Sequence, residues 1–154
     1  MSSLTSQLRI AERKETNAQG FLLRARRRMK DGDLIRAIGD YSRAIERDPR
    51  LFEAYFERYE LRVRLGQMER AITDFDLAIE WNPHVAEFYN YRAMLHAWQE
   101  DLPRALTDAE KAVELDSQEF TYRSNLQIIR AALELRFYHF RDLASEPRKA
   151  RSSA

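Results

Sequence analysis

With 154 residues, the chain has length for one domain with a real core and not for two ordinary ones; 26 basic against 25 acidic side chains leave a net charge of +1, with no overall field to favour nucleic acid or an acidic membrane surface. The lack of cysteine excludes disulfides, thiolate catalysis and cysteine-ligated metal. No apolar block of signal-peptide length opens the chain and no run approaches a membrane span, so a cytoplasmic protein is expected.

Gly and Pro are scarce, four of each, and strand-like alternation is missing, so helices are expected throughout. Residues 1–15 carry Leu4, Leu8 and Ala11 at helical spacing with few other apolar side chains, and read as a partly ordered N-terminal segment. The domain is expected over 16–145. Its first helix spans 17–30 and its second 34–47, separated by Asp31-Gly32-Asp33 and stopped at Asp48-Pro49. A second pair follows over 51–65 and 68–81, turning at Leu65-Gly66-Gln67 and stopping at Asn82-Pro83. The third pair, 85–99 and 102–115, turns at Gln99-Glu100-Asp101 and stops at Asp116-Ser117. Glycine permits the left-handed backbone that ends a helix, and proline ends one because it lacks an amide donor. Pro103 belongs in the first turn of its helix, where the missing donor is harmless.

Residues 118–145 read as one long helix whose first half can cap the preceding pairs. Its second half carries Leu133, Phe137, Tyr138, Phe140 and Leu143 as an apolar stripe. That stripe either folds onto the protein's own core or forms a seam with a partner or a second copy, as in a homodimer. Residues 146–154, rich in Pro, Lys, Arg and Ser, read as a flexible tail.

A step of 34 residues superimposes the three pairs. It links Arg24 with Arg58 and Arg92, Ala37 with Ala71 and Ala105, and Asp40 with Asp74 and Asp108. In the second helices Ala37-Tyr41-Ala44 recurs as Ala71-Phe75-Ala78, placing two small residues and one aromatic on a single face. The third copy has Ala109 in the aromatic place, and Phe120 or Tyr122 is expected to fill the space. Such a period marks stacked units that cannot bury their apolar faces alone. On these residues the chain resembles the tetratricopeptide repeat family, with repeats at about 18–51, 52–85 and 86–119. The resemblance implies an all-α superhelix of three antiparallel helix pairs closed by the C-terminal helix. Three departures stand out: Tyr59 where Ala25 and Ala93 are small, Glu100 in place of the turn glycine, and Ser117 in place of the terminal proline. Tyr59 is expected to loosen the second repeat against its neighbour.

Each first-helix Arg precedes an Asp by sixteen residues, and Arg24–Asp40, Arg58–Asp74 and Arg92–Asp108 are expected to be ion pairs within their repeats. Arg36, Arg70 and Arg104 lie four residues before the same aspartates and are expected on the same face. Arg24, Arg26, Arg27, Arg28 and Lys30 form a short basic cluster that reads as a solvated helical face, because no stacking aromatics interleave it. His84, His96 and His139 lie in separate elements without a nucleophile or metal-ligand motif, and no glycine-rich phosphate loop is present. Neither an enzyme nor a cofactor or metal protein is expected.

The resemblance further implies that the first helices line a concave groove holding a peptide or a helix from a protein partner. By position that groove would carry Leu22, Arg26 and Met29, then Phe56, Glu57, Glu60 and Arg64, then Asn90, Tyr91, Met94 and Trp98, with Asn125 and Ile128 extending it. Phe56, Tyr91, Met94 and Trp98 are the expected apolar anchors, and Arg26, Glu57 and Glu60 the residues setting polarity. The carboxylate clamp used by one subgroup of the family is missing here, because Leu22, Arg26, Glu57, Asn90 and Met94 hold its places. The expected function is a non-catalytic adaptor. The alternatives are a small secretion or assembly chaperone holding a client, or a structural protein that self-assembles through its C-terminal helix.

Overall fold

The computed structural model describes the backbone of residues 17–145 and the side chains of residues 17–137. The expected N-terminal segment, the tail, and the side chains of Tyr138 and Phe140 lie outside the described residues. Seven helices occupy the described span: α1 (Ala18–Lys30), α2 (Leu34–Arg47), α3 (Phe52–Arg64), α4 (Met68–Trp81), α5 (Ala86–Trp98), α6 (Leu102–Leu115) and α7 (Phe120–Ser145). Each packs on the next, and α7 also touches α5, so three antiparallel hairpins stand in a row with α7 laid over the last.

The hairpin turns are built three times in one way. At each, the chain closes the first helix with paired amide bonds, such as Gly32 N–H to the Met29 carbonyl at 3.2 Å and Asp33 N–H to the Arg28 carbonyl at 2.9 Å. Gly66 and Gln67 repeat this pair, as do Glu100 and Asp101. The geometry needs a left-handed residue, and Gly32, Gly66 and Glu100 supply it with φ of 79°, 69° and 61°. Glu100 therefore keeps the turn at a steric cost that the two glycines escape. The following helix starts on a side-chain cap where aspartate is present: Asp33 accepts the Arg36 amide and Asp101 the Arg104 amide, both at 3.3 Å. Gln67 makes no such bond.

Between hairpins, the Tyr55 hydroxyl donates to the Pro49 carbonyl and the Tyr89 hydroxyl to the Pro83 carbonyl, each at 3.1 Å. These bonds fasten the loop to the first helix of the next repeat. The core runs through the small residues: Ala25, Ala37, Ala44, Ala71, Ala78, Ala93, Ala105 and Ala112 are fully buried, and Tyr41 and Phe75 fill the space between them. At the third copy the filling comes from elsewhere than expected. Phe120 is exposed, and Leu126 and Ile129 of α7 close over Ala105 and Ala109. They lie three apart on the face that α7 presents to α6, whereas Phe120 begins the helix at its rim.

Tyr59 also acts differently from expectation. Its ring lies 4.9 Å from Phe75 and 5.4 Å from Tyr91 by centroids, wedged where Ala25 and Ala93 let their own hairpins close. The contact between α3 and α4 is less extensive than that within the other two hairpins, so the loosening lies inside the second repeat.

The three expected ion pairs form. Arg24 meets Asp40 through Nε at 2.8 Å and Nη2 at 2.7 Å, Arg58 meets Asp74 through Nε at 2.8 Å, and Arg92 meets Asp108 through Nε at 2.8 Å and Nη2 at 2.7 Å. The same arginines reach backward to the preceding repeat: Arg58 donates to the Ser42 hydroxyl at 2.9 Å and Arg92 to Asp76 at 2.7 Å. One guanidinium thus ties two layers, which its several fixed donors allow. A second basic side chain also faces each aspartate, and it is not Arg36, Arg70 or Arg104. Arg28 reaches Asp40 at 2.8 Å and Arg62 reaches Asp74 at 2.6 Å, while Arg36 and Arg104 turn back to Asp33 and Asp101 at 3.1 and 3.0 Å. Arg28 therefore leaves the solvated basic face expected for it and joins Arg24 on the buried Asp40 carboxylate. In the third layer His96 holds that second place, with Nε2 3.9 Å from Asp108. Burial pushes its imidazole below the ordinary value against the pull of Asp108, so it stays neutral at neutral pH.

Candidate binding groove

Side chains of the first helices reach one another from layer to layer, which makes α1, α3, α5 and the first part of α7 one continuous wall. Arg26 of α1 meets Glu57 of α3, Phe56 of α3 meets Tyr91 of α5, and Asn90 of α5 meets Asn125 of α7. Helices α2, α4 and α6 form the other side of the stack.

The middle of this wall is aromatic. Phe56 lies 5.1 Å from Tyr91, 5.4 Å from Phe88 and 5.6 Å from Phe75, and Tyr91 stacks on Phe75 at 5.6 Å with only 11° between the ring planes. Edge-to-face and offset pairs of this kind add to burial. Phe56 and Tyr91, both half-buried, thus spend much of their surface on each other and serve as floor. Burial, followed by Glu87 and Glu60 nearby, raises the Tyr91 phenol above its ordinary value and keeps its proton in place.

Arg26 and Glu57, expected to set the polarity of the groove, neutralise one another. The Arg26 Nε–H lies 2.8 and 3.0 Å from the two Glu57 oxygens, and its Nη2 also donates to Oε1. The Tyr41 hydroxyl donates to Glu57 Oε2 at 2.9 Å, and burial together with that carboxylate pushes the phenol far up. Leu22 is not a groove residue: it is 2% exposed and sits in the core cluster with Tyr41 and Ala54, where an apolar branched side chain gains most. Asn90 is likewise buried, its side-chain oxygen taken by the Asn125 amide at 2.9 Å. Met29 packs against the core and lies 4.0 Å from the Tyr41 hydroxyl.

What remains open is concentrated at the third layer. Met94 and Trp98, one turn apart on α5, are 39% and 69% exposed, and Ile128, one repeat step beyond Met94 on α7, is 60% exposed. Leu135, two turns past Ile128, is exposed as well. Glu60 and Arg64 stand at the wall's surface with no ion pair among the described residues. Of the C-terminal stripe, Leu133 packs against the protein's own core cluster of Ala93, Ala105, Ala109, Leu126 and Ile129, so it leaves the seam, whereas Phe137 is 69% exposed.

Missed from the sequence were Glu53 and Glu87, which fall one repeat step apart in the first turns of α3 and α5 and join Glu57 and Glu60 along the wall. The same step that aligned the arginines would have found them. No group of three metal-binding side chains occurs among the described residues, and no described helix is long and apolar enough to cross a membrane.

Solved structures share this arrangement. The first tetratricopeptide repeat domain of Spaghetti (RPAP3), bound to the HSP90 peptide SRMEEVD, is 24% identical, covers 78% of this chain and 95% of its own, and superposes with a TM-score of 0.66. The Sgt2 domain from Aspergillus fumigatus is 18% identical over 76% of this chain and 79% of its own, with a TM-score of 0.64. A tetratricopeptide repeat protein from Parabacteroides merdae is 19% identical over 94% of this chain and 59% of its own, with a TM-score of 0.69. No protein-family model and no curated protein matches the sequence. The chain is a helical-repeat solenoid. Its fold is that of the tetratricopeptide repeat domains, as the 34-residue register implied.

Proposed function

We propose that this protein is a non-catalytic interaction module that holds a peptide or helix of a protein partner against the wall formed by α1, α3, α5 and α7. One observation carries the reading: Met94 and Ile128, at one register position of adjacent layers, and Trp98, one turn beyond Met94, form an exposed apolar ridge on the wall whose floor is already built of interlocked aromatics. Large apolar side chains kept in water beside a packed floor are what binding hot spots consist of. Trp98 and Met94 are the anchors, Ile128 extends them, and Phe56 and Tyr91 give the ridge a rigid base. The peptide SRMEEVD held by the RPAP3 domain is acidic, and an acidic guest here would approach Glu60 and Glu87, so the partner differs in chemistry. Adaptor and chaperone uses would share this surface, and a cytoplasmic setting suits both.

Selection of binders from a displayed random-peptide library tests the reading. Peptides chosen on the intact protein should lose roughly tenfold or more in affinity for Trp98→Ala, a deletion worth about 1.4 kcal/mol or more, with helicity unchanged. Equal affinity for both proteins would move the site off this wall.

A further inference from the structure

Charge along the wall is uneven in a way that the fold does not require. Glu53, Glu57 and Glu60 follow one another at spacings of four and three on α3, which stacks three carboxylates on one stripe of the helix. Like charges so placed destabilise a helix by a few tenths of a kcal/mol per pair. Arg26, crossing from α1, pairs with the middle one, and its charge also reaches Glu53. Glu87 adds a fourth carboxylate at the repeat position of Glu53, and Glu53, Glu60 and Glu87 have no ion pair among the described residues. In the first turns of α3 and α5 the helix dipole favours Glu53 and Glu87, but it offers nothing to Glu60, which stands in the second half of α3. Lys30 and Arg64 stand at the far ends of α1 and α3, Arg64 one turn beyond Glu60 and both away from the first-turn carboxylates Glu53 and Glu87.

From this charge pattern, resting on the groove reading above, we infer that the guest is a cationic segment: a peptide or helix end whose Lys or Arg side chains meet Glu53, Glu60 and Glu87 while a neighbouring apolar side chain docks on Met94 and Trp98. The low-dielectric aromatic floor of Phe56, Tyr59 and Tyr91 strengthens the carboxylates' field at the wall and makes it select by charge. Trp98, exposed at the edge of the ridge, offers its ring face to a guanidinium as a second source of the same preference.

Arrayed synthetic peptides built on one leucine-bearing frame, and differing only in carrying arginine, glutamine or glutamate at the flanking positions, test this against the full chain. The arginine set is expected to bind roughly tenfold or more tighter than the glutamate set, with the difference shrinking as salt is raised. The double variant Glu60→Lys, Glu87→Lys should abolish or invert the order, and both positions are exposed enough to leave helicity intact. Trp98→Ala should weaken every set. A glutamate or glutamine set that binds as well as the arginine set, or an order that survives the double charge reversal, overturns the inference; if Trp98→Ala still weakens binding in that case, the groove itself stands. Charge-dependent binding that ignores Trp98→Ala removes the groove, and binding by no set contradicts both.

Discussion

Asp40 and Asp74 occupy one position a repeat apart, are both fully buried, and have acidities moved in opposite directions. Burial is the largest influence on each and raises both, but at Asp40 the bonds from Arg24 and Arg43 and the charge of Arg28 outweigh it, whereas at Asp74 Arg58 and Arg62 do not. The geometry explains why. Arg24 bonds both oxygens of Asp40, with Arg28 on Oδ2 and Arg43 on Oδ1, while the bonds from Arg58 and Arg62 land on Oδ1 of Asp74 and leave Oδ2 without a hydrogen-bond partner among the described residues. Arg58→Ala should therefore cost about 3 kcal/mol, since the poorly compensated Asp74 loses its nearest cation. Arg24→Ala should cost clearly less, because Asp40 keeps Arg28 and Arg43. Thermal unfolding checks the order: at about 2–4 °C per kcal/mol for a chain of this size, Arg58→Ala falls well below Arg24→Ala. Register alone made the Arg–Asp pairs legible. It did not say which second cation would join them, because Arg36 and Arg28 both satisfy helical spacing. Helical side chains lean toward the N-terminus, and that lean carries Arg36 to Asp33 and away from Asp40.

Helix ends were the most legible elements. Gly32, Gly66, Pro49, Pro83 and Pro103 each mark a boundary that the structure keeps, because each acts through its own backbone and needs no partner. Packing between elements was harder to read. Ala109 announced a vacancy, but whether Phe120, Tyr122 or Leu126 would fill it depends on the rotation of α7 about its axis, which is set by the whole α6 surface. The repeated turn gives a direct test at this scale. Glu100 holds the left-handed conformation that Gly32 and Gly66 adopt freely, so Glu100→Gly should raise stability by about 1 kcal/mol despite the greater freedom of glycine in the unfolded chain. The Arg136 bond to the Glu100 carbonyl, at 3.0 Å, is made to the backbone and survives the change. Denaturant unfolding with an unaltered slope and a higher midpoint is the expected result.

At the scale of the molecule, the stack turns three hairpins into two unlike faces. Small residues and arginine bridges lock the helices together between them, and the wall of α1, α3, α5 and α7 keeps an aromatic floor, an apolar ridge and a row of carboxylates. The candidate site was half legible for a physical reason. Position along the repeat places a residue on the wall, but whether it stays open depends on what the next layer offers. Glu57 is closed by Arg26 and Asn90 by Asn125, whereas no described helix stands beyond α7 to cover Ile128. The central claim, that this wall receives a guest, is tested most directly by titrating the labelled protein with a library-selected peptide and mapping chemical-shift changes. Changes confined to α3, α5 and the first half of α7, strongest at Glu60, Met94, Trp98 and Ile128, are predicted; changes centred on α2, α4 and α6 instead would contradict the account.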